Sequence, residues 1–274
     1  MKRLVVLLAC AAILAGCATN PVTGRRQFII VPESQAIAAS KEAYVQMLNP
    51  LEKEGKIDSD PILTARIDTI TGRLVAQAIR YRPETEKWEW TVKVIDDPNT
   101  VNAFCMAGGR MAVYTGLIQQ VKPSDDELAQ VMGHEIAHAL SNHTAEKMSV
   151  AMASDLAVTA VAATQRNSRL ALTGAALAAA IAIKLPNSRQ AESEADRIGI
   201  ELAARAGYDP HAAVTLWQKM ERVSGGRRFD FLSTHPAPEK RMETLAGLVP
   251  RMLPYYEQKG ERPRYKLGSK AATE

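Results

Sequence analysis

Residues 124–138 read Ser-Asp-Asp-Glu-Leu-Ala-Gln-Val-Met-Gly-His-Glu-Ile-Ala-His. Ser124 is a candidate helix cap and three acidic residues follow it, which is typical of a helix N-terminus. The pattern predicts a helix that begins near Pro123 and ends near Asn142. His134 and His138 are four residues apart, so they lie on one face of this helix and can bind the same metal ion.

The residue between these histidines indicates what such a metal could do. Glu135 is rotated about 100° from His134 around the helix, so it can flank an open coordination position. Two imidazoles and a third ligand leave one position for water, as in catalytic zinc sites. Zinc lowers the pKa of that water to about 7, and a glutamate can take its proton as the water attacks a carbonyl. We therefore expect one zinc ion per chain. The alternative is two hydrogen-bonded histidines on a structural helix.

The third ligand is expected on a later helix, in Ala191-Glu192-Ser193-Glu194-Ala195-Asp196. Glu192, Ala195, Asp196 and Gly199 share one helical face, and the small residues among them allow close approach to the histidine helix. Glu192 is the predicted metal ligand. Asp196, one turn further, is predicted to hold a zinc-bound histidine through its other ring nitrogen.

Three other candidates receive structural interpretations. His143 lies off the metal-binding face, and we predict a solvent-facing or capping histidine near a helix end. Glu194 points away from the same face, and we predict a solvated charge. Cys105 is interpreted as a small buried apolar residue rather than a catalytic thiol, because the metal motif already uses the histidines.

A small sheet is predicted over residues 88–115, because apolar and polar residues alternate there and turn residues separate the runs. The strand from Gly109 to Tyr114 is predicted to offer a free edge beside the metal, where an extended peptide could add through main-chain hydrogen bonds. The alternative is a fully paired strand. The predicted substrate-binding residues are Asn102, Gly109, Arg110, Met111, Ala112 and Val113.

Helical spacing dominates the rest of the chain. Helices are predicted over residues 33–54, 61–80, 146–164, 189–206, 210–222 and 238–248. The apolar run 171–183 is predicted to be a core or lid helix, with membrane-surface contact as the alternative. The fold class is therefore α+β, mainly α, with a small sheet beside the metal-binding helix. One domain is expected over residues 33–250, followed by a loosely ordered polar tail over 251–274.

The N-terminus has the pattern of a secretory signal. Lys2 and Arg3 precede an apolar run that is too short to cross a membrane. Leu14-Ala15-Gly16-Cys17 resembles the bacterial lipobox, which implies removal of residues 1–16 and acylation of Cys17. Ala18 is not the aspartate that usually retains lipoproteins in the inner membrane, so an outer-membrane lipid anchor is expected. Residues 17–32 are predicted to be an extended tether.

Composition excludes several classes of protein. The chain has 274 residues, of which 46% are hydrophobic and 23% charged, so it is not wholly disordered or fibrous. Its net charge of +4 is mild and no basic cluster is interleaved with aromatic residues, which excludes nucleic acid as an expected partner. Three cysteines cannot form a disulfide framework.

The motifs together resemble a known family, the HtpX-type and prenyl-protease-type gluzincins. The pattern His134-Glu135-x-x-His138 with Glu192-x-x-x-Asp196 carries the likeness. It extends to Asn102-Ala103-Phe104 and to Ser233-Thr234-His235-Pro236 with Arg241, and it covers about residues 20–250. With the lipobox, the chain is similar to the bacterial outer-membrane lipoprotein branch of that family.

The resemblance implies a zincin-type zinc endopeptidase at the periplasmic face of the outer membrane. Its implied substrates are misfolded or unassembled envelope proteins, with the outer-membrane assembly machinery as a candidate partner. His235 is implied to lie near the active site, where it could stabilise an oxyanion or occupy the open metal position in a resting form. Arg241 is implied to pair with an acidic residue there.

Two other classes of function compete with the endopeptidase. One is a non-proteolytic envelope chaperone or assembly factor that holds clients on the strand edge. The other is an outer-membrane lipoprotein in which zinc only stabilises the fold. Glu135 argues against both, because a structural zinc site needs no general base and uses a closed ligand set.

Overall fold

The computed structural model describes residues 17–162, 187–224, 230–236 and 240–268. The predicted signal peptide of residues 1–16, the apolar run 171–183 and the glycine break at 225–226 lie outside these residues. No helix in the described ranges has the length and apolar character needed to cross a membrane.

The fold is mainly helical with two small sheets, which confirms the predicted class. The described residues contain eight α-helices: α1 (Glu33–Lys53), α2 (Pro61–Tyr81), α3 (Asp125–Leu140), α4 (His143–Ala162), α5 (Arg189–Arg205), α6 (Ala212–Ser224), α7 (Asp230–Thr234) and α8 (Arg241–Tyr256). The five strands are β1 (Cys17–Thr19), β2 (Arg26–Phe28), β3 (Thr91–Ile95), β4 (Ala103–Met106) and β5 (Arg110–Tyr114).

The larger sheet corrects one prediction. Its strand order is β3-β5-β4, with β3 parallel and β4 antiparallel to β5. The strand that contains Arg110–Tyr114 is therefore central and paired on both sides, so the prediction that it offers a free edge is wrong. The two outer strands of this sheet are β3 and β4. The sequence did not identify β4 as a strand distinct from the hairpin that it forms with β5.

Helix α3 is the central helix of the core, and its sequence explains where it begins. Ser124 Oγ accepts from the Glu127 backbone nitrogen at 3.2 Å, and Glu127 Oε2 accepts from the Ser124 backbone nitrogen at 2.9 Å, which forms a capping box. Every residue of α3 from Glu127 to Leu140 is buried.

Close contact between α3 and α5 depends on two glycines. A Cβ placed on Gly133 would lie 2.8 Å from the Gly199 carbonyl oxygen, and one on Gly199 would lie 2.8 Å from the His134 nitrogen. Ala195, also on this face of α5, is fully buried. The predicted small-residue face is therefore the one that packs on the histidine helix.

The two ends of the described chain are more ordered than predicted. Residues 17–28 form the antiparallel pair β1–β2 rather than an extended tether. Helix α8 continues through Pro250 and Pro254 to Tyr256, because Val249 and Met252 are buried in the main core. Beyond it, Gly268 N donates to the Trp90 carbonyl at 2.9 Å, so the prediction of a loose tail is wrong up to residue 268.

Candidate metal centre

Four side chains from three parts of the chain converge beside α3. His134 and His138 come from α3, Glu192 from α5, and His235 follows α7. All four residues are buried, and their candidate ligand atoms lie within 4.8 Å of one another. The structure therefore brings together the two predicted histidine ligands, the predicted glutamate ligand and His235.

The spacing of these atoms suits a tetrahedral metal ion. His134 Nε2 is 3.1 Å from His138 Nε2 and 3.3 Å from His235 Nδ1. Glu192 oxygens lie 3.3 Å from His134 Nε2, 3.2 Å from His138 Nε2 and 3.0 Å from His235 Nδ1. Bonds of about 2.0–2.1 Å to a tetrahedral zinc ion place ligand atoms about 3.3 Å apart. Three imidazoles and one carboxylate at this spacing fit zinc.

A second layer of charged groups holds the ligands in place. Asp196 Oδ1 lies 3.0 Å from His134 Nδ1, on the ring side opposite the metal-binding nitrogen. Arg241 Nη2 donates to Glu192 Oε2 at 3.0 Å and to Asp196 Oδ1 at 2.7 Å. The Arg241 guanidinium also lies 3.6 Å from the ring centre of Trp217. Asp196 and Arg241 therefore lie where the sequence and the resemblance place them.

Burial and neighbouring charges shift the pKa values of the site. Burial lowers the pKa of His134, but the Glu192 and Asp196 carboxylates outweigh burial and raise this pKa to about 9. Burial raises the pKa of Glu192, yet the three histidines reverse the effect and hold it well below its usual range. Glu192 is thus an ionised carboxylate, the form that binds a metal cation.

Glu135 lies at the wall of the adjoining cleft. The cleft is lined by Glu135, His138 and His235 and by the residues of β4. Glu135 Oε1 is 3.5 Å from His235 Nε2. Burial raises the pKa of Glu135 above its ordinary value, which is the shift expected of a general base that works near neutral pH. Cys105 lies in β4 and also lines this cleft, and it is a buried free thiol, as predicted.

Two predictions about polar residues near the site are wrong. His143 is buried rather than solvent-facing, and its Nδ1 lies 2.8 Å from His138 Nδ1. Glu194 is not a solvated charge, because it accepts hydrogen bonds from His143, Arg25 and Thr23. Burial raises the pKa of Glu194, but these bonds outweigh burial and lower the pKa to about 2. The folding of the N-terminal segment onto α5 could not be read from helical periodicity.

Asn187, which was not among the predicted site residues, also contacts the ligand cluster. Its Nδ2 donates to Glu192 Oε1 at 2.8 Å and lies 3.3 Å from His235 Nδ1. Its backbone nitrogen donates to the Thr234 carbonyl at 2.9 Å, which ties the start of α5 to the segment that carries His235. In the sequence, the feature that could have identified Asn187 as a site residue was its position directly before the helix that carries Glu192.

The predicted substrate-binding residues divide into two groups. Asn102 lines the cleft, next to β4. The predicted residues Arg110 to Val113 form the central strand, and all four are buried. Gly109 packs on Trp90, since a Cβ there would lie 2.6 Å from the indole ring. Only Asn102 of the predicted set therefore faces the cleft.

Comparison with known proteins agrees with this geometry. The model of peptidase family M48 matches residues 61–249. The chain is 32% identical over 234 residues to the mitochondrial metalloendopeptidase OMA1 of Schizosaccharomyces pombe, and the match covers 84% of this chain and 66% of that protein. It is 31% identical over 256 residues to a putative beta-barrel assembly-enhancing protease of Vibrio cholerae, covering 86% and 50% of the two chains.

A third relative, the mitochondrial metalloendopeptidase OMA1 of Arabidopsis thaliana, is 39% identical over 168 residues. That match covers 57% of this chain and 31% of the plant protein, so this chain corresponds to only part of the length of these relatives. The family model spans well over half of the chain, and its range includes all four converging side chains, from His134 to His235. This chain belongs to peptidase family M48.

Proposed function

We propose that this protein is a zinc-dependent metalloendopeptidase that binds one zinc ion per chain. The observation that carries the proposal is the convergence of His134, His138 and Glu192 at the spacing of zinc ligands, with Glu135 beside them. The relatives named as metalloendopeptidases support it.

The side chains of this protein divide the work of peptide hydrolysis. Zinc, when bound by His134, His138 and Glu192, supplies a Lewis acid that makes water acidic and polarises a carbonyl. Glu135 accepts the proton of the attacking water and then delivers it to the leaving amine. Asp196 and Arg241 keep His134 and Glu192 in their binding orientation.

The peptide is proposed to bind along β4. Within the described residues β4 pairs only with β5, and the residues of β4 line the same cleft as Glu135 and His138. An extended chain could add to the outer side of β4 through main-chain hydrogen bonds, which tolerates varied substrate sequences. Asn102, directly before β4, is the predicted binding residue that keeps its role in this arrangement.

His235 is proposed to close the metal site in a resting state. Its Nδ1 lies 3.0 Å from Glu192 and 3.3 Å from His134, so it takes the fourth ligand position that a catalytic site leaves for water. This arrangement also gives specific support to the second candidate function, a chaperone that holds unfolded clients without cutting them. The two activities can occur in one protein.

We place the protein in the bacterial envelope, anchored to the outer membrane by acylated Cys17, as a member of the lipoprotein branch. The lipobox sequence supports the anchor, and the name of the Vibrio cholerae relative supports work on misfolded or unassembled envelope proteins. The outer-membrane assembly machinery is the proposed partner.

The test compares the mature chain with its Glu135→Gln variant. Bound zinc and cleavage of unfolded casein are measured with and without a chelator. The proposal expects one zinc per chain in both proteins and chelator-sensitive cleavage in the unsubstituted protein only. Cleavage that persists in the variant would contradict the proposed general base. Zinc in both proteins without cleavage in either would favour the chaperone.

A further inference from the structure

A series of hydrogen-bonding groups connects a metal ligand to the antiparallel pair β1–β2 and its turn, residues 17–28, which we call the N-terminal hairpin. His138 Nδ1 lies 2.8 Å from His143 Nδ1, and His143 Nε2 lies 2.9 Å from Glu194 Oε2. Glu194 Oε1 in turn accepts from Arg25 Nε at 2.9 Å. We call these four residues, His138, His143, Glu194 and Arg25, the His138 relay.

The chemistry of the groups fixes the direction of each hydrogen bond in the relay. The Glu194 carboxylate can only accept, so His143 Nε2 must carry the proton that it donates. In a neutral ring His143 Nδ1 is then an acceptor, and His138 Nδ1 must donate to it. That leaves the lone pair of His138 on Nε2, the nitrogen that lies 3.2 Å from Glu192 in the metal cluster.

The N-terminal hairpin makes further hydrogen bonds to the helices around the His138 relay. Arg25 also donates to both oxygens of Glu146 in α4, at 2.9 and 2.7 Å. Gln27 Nε2 donates to the Ser141 carbonyl at 2.9 Å, at the end of α3. Thr23 Oγ1 adds a 2.8 Å bond to Glu194. The hairpin therefore bridges three helices around His143, and the side chain of Arg25 is only 15% exposed.

We propose that His143 and Glu194 are positioning residues that hold zinc ligand His138 in its metal-binding tautomer, and that the N-terminal hairpin completes this relay through Arg25. The inference rests on the zinc site of the proposed function but not on proteolysis. It makes the segment that directly follows Cys17 a part of the metal centre. Removing a partner of this kind typically costs 10–100-fold in metal affinity.

The test measures the zinc affinity of the full chain by competition with a chromophoric chelator. The variants are His143→Leu, which removes both ring nitrogens, His143→Gln, whose amide can accept from His138 and donate to Glu194, and Arg25→Met. Arg26→Met is the matched control, because Arg26 is the exposed neighbour in the same hairpin. The stability of each zinc-free variant is recorded alongside.

We expect His143→Leu to bind zinc about 10–100-fold more weakly. Arg25→Met should lose less, His143→Gln should recover part of the loss, and Arg26→Met should match the unsubstituted chain. Zinc affinity in a folded His143→Leu that stays within about twofold of the unsubstituted chain would overturn the inference, even if the variant is less stable. If His143→Leu does not fold, Arg25→Met and Glu194→Gln decide by the same criterion.

Casein cleavage by the same proteins separates this inference from the proposed function. An unsubstituted chain that binds zinc but does not cut contradicts the endopeptidase and leaves the affinity comparison valid. Variants that bind zinc as well as the unsubstituted chain while that chain cuts casein overturn the relay and leave the endopeptidase standing.

Discussion

Gly199 lies directly against the backbone of His134. A Cβ at residue 199 would stand 2.8 Å from the His134 nitrogen and 2.9 Å from its Cα. No backbone atom can move aside as a flexible side chain can, so the helix that carries Glu192 reaches the histidine helix only because residue 199 has no side chain. The distance between the ligands of α3 and α5 depends on this contact.

Gly199→Ala should therefore destabilise the fold although alanine favours helices. We expect a loss of about 1–3 kcal/mol, the range for overpacking in a core. Chemical unfolding of both proteins checks this. Gly247→Ala is the control, because a Cβ there meets nothing within 4 Å and alanine in a helix interior should stabilise by about 0.5–1 kcal/mol. Equal effects of the two substitutions would contradict the packing argument.

Local chemistry explains which parts of this structure the sequence could predict. Three short-range patterns were predicted and are present in the structure. They are the cap of α3, the spacing of His134 and His138, and the face of α5 with Glu192 and Asp196. The order of strands was not predictable, because β5 pairs with β3 across a connection that alternation alone does not specify. The role of His143 depends on Arg25, which is more than a hundred residues away in sequence.

The pH dependence of stability should show the contribution of the α3 cap. Burial raises the pKa of Glu127, but hydrogen bonds from Lys219, Ser124 and Thr215 outweigh burial, so the pKa is lowered. A lowered pKa in the folded state means that the stabilisation is present above the unfolded pKa of about 4.3 and is lost as the pH falls below it.

Glu127→Gln keeps the capping oxygen but removes the charge that pairs with Lys219 at 2.6 Å, so it should cost about 1 kcal/mol at pH 7 and progressively less towards pH 3. Urea unfolding of both proteins across this range measures the difference. Glu243→Gln, which changes a carboxylate that is 74% exposed, is the control. A cost for Glu127→Gln that is independent of pH would show that the ionised carboxylate is not the stabilising form.

Arg241 should contribute to metal binding through two carboxylates at once. Arg241→Met leaves Glu192 and Asp196 buried without the cation that both contact at 3.0 and 2.7 Å. We expect a loss of metal affinity of about 10–100-fold. Isothermal titration with zinc tests this, with Arg251→Met in the same helix as the exposed control. Unchanged affinity in Arg241→Met would mean that Arg241 is not needed to orient Glu192.

The His235→Ala variant should show whether His235 blocks the fourth ligand position in a resting state or acts as a catalytic group. The substitution removes the nitrogen that lies 3.0 Å from Glu192 and keeps His134, His138 and Glu192 as ligands. If His235 closes the site, the variant should still bind zinc and should cut casein faster, because water gains the fourth position. If His235 instead stabilises an oxyanion, cleavage should fall by about 10²–10³-fold in kcat.

Both outcomes are measured against a variant that leaves the ligand cluster untouched. Thr234→Ala alters the residue before His235. Among the described residues, the Thr234 hydroxyl donates to the Asp230 and Phe231 carbonyls at 3.1 and 3.2 Å. Faster cleavage in His235→Ala but not in Thr234→Ala would show that the imidazole of His235 blocks the metal site. Equal acceleration in both variants would show that the α7 segment, rather than the imidazole, restrains cleavage. Slower cleavage in His235→Ala alone would contradict the proposal that His235 closes the site in a resting state.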